Sequence, residues 1–161
     1  MIEDRDVQLL GLLQRDADLS LNELAERVHL SPSACSRRIA QLRRRGVIRR
    51  LVALLDRRAV GVPTTVFAVI KVSGHSPGQT EALRTTIAQI DEIVEVHRVT
   101  GSFDYIMKIV LPNVEYYDTV YKRLVARLEL HDVSAYISME TLKSEGELPL
   151  THLPQDPPST G

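Results

Sequence analysis

Apolar side chains in the first 50 residues recur with the three- and four-residue spacing of amphipathic helices. The pattern predicts helices over Asp4–Arg15, Leu21–Val28 and Pro32–Arg45. Ser20 and Glu23 have the spacing of a capping box, which satisfies free amide groups at the start of the second helix. We therefore expect three short helices that pack through their apolar faces, including that of Leu21 in the second helix.

Local signals define both ends of the third helix. Ser31 is a favourable N-cap, and Pro32 suits the first helical position because it lacks an amide hydrogen there. Gly46 is suited to the C-terminal cap. His29 stands in the preceding turn where glycine is common, and His tolerates a positive φ better than most residues.

The third helix has one apolar and one polar face. Cys35, Ile39 and Leu42 fall at i, i+4 and i+7 and predict the buried face, in which Cys35 acts as a small apolar side chain. Two helices joined by a short turn, the second with a polar outer face, follow the helix-turn-helix plan. The second helix of such a pair enters the major groove of duplex DNA.

Polar side chains of the third helix have the chemistry that reads DNA. Arg37 or Arg38 can bind guanine with two hydrogen bonds, and Gln41 suits adenine. The arginines at the end of the helix are better placed for phosphates. The predicted DNA-binding residues are Ser31, Ser33, Ser36, Arg37, Arg38, Gln41, Arg44 and Arg45.

From residue 65 the pattern changes to short β-branched runs alternating with two amphipathic stretches. These predict strands over 65–73, 93–100, 103–111 and 131–139, and helices over 76–90 and 114–128. Gly101 and Ser102 predict a two-residue type II′ hairpin turn. The order βαββαβ is the ferredoxin-like (ACT/RAM-like) plan, an antiparallel sheet with both helices on one face. The fold class is therefore α+β, with a winged-helix-like N-terminal domain.

The domain boundaries follow from the same reading. Residues 47–56 predict a strand or wing, and Gly61 with Pro63 indicates a linker. The bare face of the sheet favours a homodimer, whose two-fold symmetry suits a pseudo-palindromic DNA site. The predicted segments are a helix-turn-helix domain over 1–55, a linker over 56–64, an effector-binding and oligomerisation domain over 65–153 and a flexible tail over 154–161.

Charge is divided between the two halves of the chain. The net charge of −1 argues by itself against nucleic-acid binding. However, residues 1–59 carry 12 Arg against 8 acidic residues, or +4, and the remainder carries −5. Seven Arg and no acid lie between Arg37 and Arg50, which indicates a surface that faces phosphates. All seven aromatic residues come at Phe67 or later, so the basic half has no platform for stacking single-stranded bases.

Other classes of protein are excluded by composition. No run of apolar residues is long enough to span a membrane, and the acidic start lacks a signal-peptide core. A single cysteine excludes an internal disulfide and a cysteine-based zinc site, and the five His have no metal-ligand or catalytic-triad spacing. We therefore expect a cytoplasmic protein with no cofactor, no metal and no membrane partner.

Three stretches together resemble the Lrp/AsnC (leucine-responsive, feast/famine) family of transcriptional regulators. They are ELAERVHLSPSACSRRIAQLRRRGVI, ALLD and TGSFDYIMK, and the resemblance spans about residues 2–153. It implies a regulator that binds duplex DNA, dimerises through its C-terminal domain and often assembles into an octamer. It also implies a small effector, usually an amino acid, bound between dimers.

The resemblance also identifies candidate effector residues. The family's G-x-x-D-Y pattern falls on Gly101, Asp104 and Tyr105, and YISMETLK is similar to the family's last strand. An Asp can bind an α-ammonium group, and amides at a Gly turn can bind a carboxylate. The implied effector-binding residues are Val99, Thr100, Gly101, Asp104, Tyr105, Tyr136, Ile137 and Ser138.

Two alternatives stay open beside this interpretation. Sirohaem decarboxylases share the fold and are expected to carry a His-x-Tyr-x-Arg run and a Trp-Phe pair. Here the corresponding run is His97-Arg98-Val99-Thr100-Gly101, and the chain has no Trp. The other alternative is a sensor-only module, which would not need the arginine-rich third helix. We therefore expect a regulator and no enzyme.

Overall fold

The structure is a computed structural model that describes residues 2–74, 76–144 and 146–153. The chain divides into two compact units. The first combines the chain up to Ala53 with the chain from Lys143 onward, and the second spans Leu54–Leu142.

The first unit contains three helices at the predicted places. They are α1 (Asp4–Arg15), α2 (Leu21–Val28) and α3 (Pro32–Arg44). Their fully or nearly fully buried side chains include Leu9, Leu24, Ala25, Val28 and Cys35.

The helix ends form as their residues predict. The Ser20 hydroxyl accepts the Glu23 amide, and the Glu23 carboxylate accepts the Ser20 amide. His29 lies in the left-handed region at φ 54° and ψ 51°, and ends α2. Gly46, at φ 74°, follows α3, and its amide bonds the Arg43 carbonyl at 2.9 Å. The expectation that Leu21 is buried is wrong, because this first residue of α2 is 43% exposed.

No strand forms over residues 47–56, which are all described. Residues 47 and 48 form a bend, and residues 49–56 have no regular secondary structure. Its large apolar side chains Leu51, Val52, Leu54 and Leu55 are exposed. A turn follows in which the Asp56 carboxylate accepts the amides of Arg58 and Ala59.

The second unit is a four-stranded antiparallel sheet with strand order β2-β3-β1-β4. Its strands are β1 (Thr64–Val72), β2 (Ile93–Arg98), β3 (Tyr105–Leu111) and β4 (Leu130–Ile137). Its helices are α4 (Pro77–Ala88) and α5 (Tyr117–Val125). The predicted α+β ferredoxin-like plan is confirmed.

Both helices pack on one face of the sheet. Leu83 of α4 and Leu124 of α5 share one core with the inward side chains of β1 and β3. The other face carries the alternate side chains, among them Phe67 and Val69 of β1 and Tyr136 of β4. Phe67 is 36% exposed and Tyr136 57% exposed, because no element of this unit covers them.

Helix α5 is shorter than the pattern predicts. Residues 114–116 form a turn that the Asn113 side chain closes by accepting the Tyr116 amide at 2.9 Å. Val120 and Leu124 are fully buried, whereas Tyr121 and Val125 are more than a third exposed.

The connection between β2 and β3 is longer than the predicted two-residue turn. The strands end at Arg98 and begin again at Tyr105, so residues 99–104 form a loop. The Val99 amide bonds the Asp104 carbonyl at 2.8 Å, and the Asp104 amide bonds the Ile70 carbonyl of β1 at 2.9 Å. The bond to β1 draws Asp104 out of a tight hairpin, although Gly101 has the expected positive φ of 124°.

The chain beyond the sheet returns to the first unit. The Gln14 side chain of α1 accepts the Leu148 amide at 2.8 Å and donates to the Leu148 carbonyl at 3.3 Å. Arg15 pairs with Glu147 at 3.2 Å. These bonds explain why the sheet unit ends near residue 142 rather than at the expected 153. The tail predicted over 154–161 lies outside the described residues.

Candidate DNA-binding surface and effector region

The outward face of α3 presents most of the predicted DNA-binding residues together. The Ser31 hydroxyl caps the helix by accepting the Ala34 amide at 3.2 Å, and it lies 3.1 Å from the Ser33 hydroxyl. The inward face is closed by Cys35 and Leu42, which are 0% and 1% exposed. The exposed polar residues are Ser31, Ser33, Ser36, Arg37, Gln41, Arg44 and Arg45.

This face is suited to an anionic partner. The first turn of α3 contains no acidic residue, and the positive end of its helix dipole lies at Ser31. Basic side chains follow from Arg37 to the end of the helix and continue at Arg49 and Arg50. A polyanion that approaches α3 therefore meets a continuous positive surface.

Arg38 does not share this exposure. Its guanidinium donates to the Asp6 carboxylate at 3.0 Å and to the Glu3 carboxylate at 2.7 Å, both at the start of α1. The Arg38 side chain is 26% exposed and the Asp6 side chain only 8%. The hydrogen bonds to Glu3 and Asp6 raise the pKa of Arg38 above its ordinary value. The structure therefore places Arg38 against α1, where Glu3 and Asp6 hold its guanidinium.

The sequence spacing indicates the capping role of Asp6 but not its pairing with Arg38. Glu3 and Asp6 are three residues apart at the start of α1, and the Glu3 amide donates to Asp6 at 3.0 Å. Asp6 therefore caps α1 with one oxygen and binds Arg38, 32 residues away, with the other.

Cys35 is a structural residue in this unit. Its side chain is fully buried, and burial raises the pKa of its thiol. A raised pKa keeps the thiol protonated and unreactive near neutral pH.

The first group of candidate effector residues lies in the loop between β2 and β3. The Asp104 carboxylate accepts the Val72 amide at 2.9 Å, where the pairing of β1 with β4 shifts register. Val99, Thr100 and Gly101 are exposed. Tyr105 is different, because its side chain faces the helices and is only 9% exposed.

The second group lies at the end of β4. Tyr136 pairs with Phe67 on the bare face of the sheet, whereas Ile137 pairs with Val66 and belongs to the opposite face. Ser138 continues the ladder, because its amide bonds the Thr65 carbonyl at 2.9 Å.

One chain does not bring these two groups together. The loop is anchored at Ile70 and Val72, whereas Tyr136 lies beside Phe67. Phe67 and Val72 are five residues apart on β1, a distance of roughly 17 Å at about 3.3 Å per residue. The anchor at Ile70 is about 10 Å from Phe67 by the same measure, so the two groups of one chain are separated along β1.

A cavity of about 360 Å³ lies between α4 and α5 and is lined by basic side chains of α5 and of the residues that follow it. Arg123 and Arg127 there bind the carbonyl and the side chain of Gln89, at the end of α4. They thereby satisfy the C-terminal end of α4, and none of the candidate effector residues lines this cavity.

No cluster of metal-ligating side chains occurs among residues 2–74, 76–144 and 146–153. Within those ranges, no helix has the length and apolarity needed to cross a bilayer.

A capped helix-turn-helix joined to a ferredoxin-like sheet unit defines a class of ligand-responsive DNA-binding regulators. A profile described as winged helix-turn-helix DNA-binding matches residues 2–49, and one described as Lrp/AsnC ligand binding domain matches residues 65–148. The chain belongs to the Lrp/AsnC family and is a sequence-specific DNA-binding transcriptional regulator of that type. The sirohaem decarboxylase alternative is not favoured.

Relatives of known sequence or structure match this chain over most of its length. The HTH-type transcriptional regulator Zrp of Zymomonas mobilis is 50% identical, covering 95% of this chain and 100% of the relative. An AsnC family transcriptional regulator from Agrobacterium tumefaciens superposes with a TM-score of 0.90 at 38% identity, covering 94% and 99% of the two chains. A transcriptional regulator from Neisseria meningitidis, solved in complex with L-Met, superposes with a TM-score of 0.89 at 27% identity. The match covers 95% of this chain and 99% of that one.

Proposed function

We propose that α3 reads a specific duplex site and that the sheet unit reports the presence of a small effector, an amino acid. The observation that supports DNA reading is the exposed polar face of α3. Arg37 and Gln41 are assigned to base edges, and Arg44 and Arg45 to phosphates. Ser31, Ser33 and Ser36 complete the surface at the start of the helix.

Fluorescence anisotropy with a duplex from the protein's own promoter tests this assignment. Arg37→Ala is expected to weaken the specific site and relax preference at one base pair. Arg44→Ala is expected to weaken specific and random duplexes alike and to lower the salt dependence. Equal affinity of the wild-type protein for specific and random duplexes would contradict the proposal.

For the effector, we propose a site assembled from two copies of the chain. The 99–104 loop of one copy would supply Gly101 and Asp104, and the end of β4 of another would supply Tyr136 and Ser138. The separation of roughly 17 Å along β1 supports this arrangement. The ligand held by the Neisseria relative supports an amino acid as the effector class.

A complementation experiment tests the two-copy site. Asp104→Ala and Tyr136→Ala are each expected to lose effector binding in calorimetry across the twenty amino acids. When the two variants are mixed through a reversible unfolding step, roughly one quarter of the sites regain both groups, because pairing is random in a symmetric assembly. If each site belongs to a single chain, mixing restores nothing, and the two-copy proposal fails.

We propose a homodimer as the basic assembly, formed through the bare face of the sheet and able to build up to an octamer. Exposed Phe67 and Tyr136 at the centre of an uncovered face support a protein partner there. A dimer would present two copies of α3 to a pseudo-palindromic site. Light scattering at micromolar concentration tests it, and a monomer would contradict it.

The proposed setting is the cytoplasm, where a regulator meets both DNA and free amino acids, and we propose no enzymatic activity.

A further inference from the structure

Arg37 and Arg38 are adjacent on α3 but face different surroundings. Arg37 is exposed on the outer face, whereas Arg38 is directed toward the start of α1. One residue corresponds to about 100° of rotation around a helix, so the pair of arginines marks the edge of the DNA-facing surface.

The bonds of Arg38 cross between two helices. Glu3 and Asp6 are 35 and 32 residues away in sequence, and each accepts a separate nitrogen of the guanidinium. A planar guanidinium held at two points restricts rotation as well as distance. The Asp6 carboxylate is itself held by the Glu3 amide, so the anchor is fixed to the α1 backbone.

We propose that Arg38 is a positioning residue for DNA recognition, which sets the rotation of α3 through its bonds to Asp6 and Glu3. A slip of α3 by a fraction of a turn would move Arg37 and Gln41 away from the base edges without unfolding the unit. This inference rests on the proposed reading of DNA by α3 and adds a residue that contacts no DNA.

The sharpest test is Asp6→Asn, which leaves Arg38 charged and removes its anchor. The substitution also makes the unit one charge more positive, and that change alone favours DNA binding. If Arg38 positions α3, affinity for the specific duplex is expected to fall about 3- to 10-fold, the range that corresponds to the net contribution of one ordinary hydrogen bond. Affinity for a random duplex is expected to stay the same or rise. An increase in specific affinity would show that a released Arg38 contacts DNA, and would overturn the proposal.

The salt dependence of DNA affinity is a second, independent test of whether Arg38 contacts a phosphate. If Arg38 bound a phosphate, Arg38→Met would reduce the slope of log affinity against log salt by about 0.9. A positioning role predicts lower specific affinity with an unchanged slope. Arg44→Met is the matched control, because this exposed arginine is assigned to a phosphate and its removal should reduce the slope.

Double variants test whether Asp6 and Arg38 affect DNA binding through the same ion pair. The double variant Asp6→Asn with Arg38→Met is expected to cost no more than Arg38→Met alone, because both changes remove the same ion pair. Combining Asp6→Asn with Arg37→Met is expected to cost less than the sum of the two single effects, because the slip of α3 already moves Arg37 away from the base edge. Arg38→Lys, which keeps the charge and one bond, is expected to restore part of the specificity and covers the case in which Arg38→Met does not fold.

The ratio of specific to random affinity separates positioning from simple loss of stability. Partial unfolding lowers the active fraction equally for both duplexes and leaves their ratio unchanged, and stoichiometric titration measures that fraction. An unchanged ratio in Asp6→Asn would therefore contradict the proposal. Failure of the Arg37 and Arg44 variants to affect binding would instead count against the proposed DNA surface itself.

Discussion

The two units of this protein hold their candidate functional residues in different ways. In the helical unit they lie on consecutive turns of α3, and the same helix buries Cys35 and Leu42 on its other side. In the sheet unit they fall into two groups at separated positions of β1, one near Val72 and one beside Phe67. The proposed DNA-binding surface lies on one helix and is complete in one chain, whereas the proposed effector site is divided along a strand and would be completed by a second chain.

The largest effect is expected from a charge placed on the bare face of the sheet, because it would separate the two chains that the proposed effector site needs. Val69 pairs with Ile106 on one side and Ser134 on the other, at the centre of that face. Val69→Glu would bury an unpaired carboxylate in the proposed interface, and we expect the dimer to weaken at least about 100-fold. Analytical ultracentrifugation over a concentration series measures this.

The same variant should lose effector binding while each folded monomer keeps an intact α3. Thr119→Glu, on an exposed position of α5, is the control for the added charge. If Val69→Glu remains a dimer that binds the effector, the assembly uses another surface.

The next largest effect is expected on α3 itself. Arg37→Ala removes one base-reading side chain, which costs about 1–3 kcal/mol of specific binding. Because the surface is local, the loss should be the same with and without effector. Anisotropy titrations in both conditions measure it, and a loss that appears only with effector would mean that Arg37 contacts DNA only in the effector-bound state.

Sequence alone was sufficient where the deciding contacts are local. The caps at Ser20 and Ser31 and the left-handed backbone of His29 and Gly46 depend on neighbours within a few residues, and all were predicted. The outer face of α3 follows from helical geometry. For the same reason the order of strands and helices in the sheet unit was predicted correctly.

The errors occur where a partner is distant in sequence. The ion pairs of Arg38 were missed because its acidic partners are 32 and 35 residues away. The turn at Gly101 lengthens because Asp104 bonds to Ile70 on another strand. Likewise, residues from Lys143 onward join the helical unit through Gln14, more than 130 positions earlier.

A smaller effect is expected from pH on the helical unit. The pKa of buried Cys35 is raised, so the unfolded chain loses the thiol proton at a lower pH than the folded chain does. The folded state then binds more protons, and its stability falls as pH rises above the ordinary thiol pKa of about 9, by up to about 1.4 kcal/mol per pH unit. Urea unfolding of wild type and Cys35→Ala between pH 7 and 10 measures the difference in slope. Parallel curves would mean that the thiol does not contribute.

The smallest expected effect on stability separates two roles of Asp104. Its carboxylate accepts the Val72 amide, and the same group is proposed to bind the α-ammonium of the effector. Asp104→Ala should cost about 1 kcal/mol of stability because this hydrogen bond is removed, whereas Asp104→Asn keeps an acceptor oxygen and should cost less. Both variants should bind the effector at least about tenfold more weakly, because an amide lacks the charge that attracts an ammonium group. Thermal unfolding and calorimetry on the two variants measure these effects. Full effector affinity in Asp104→Asn would mean that Asp104 only anchors the loop to β1, and the effector contacts would then have to come from the amides around Gly101 and from β4.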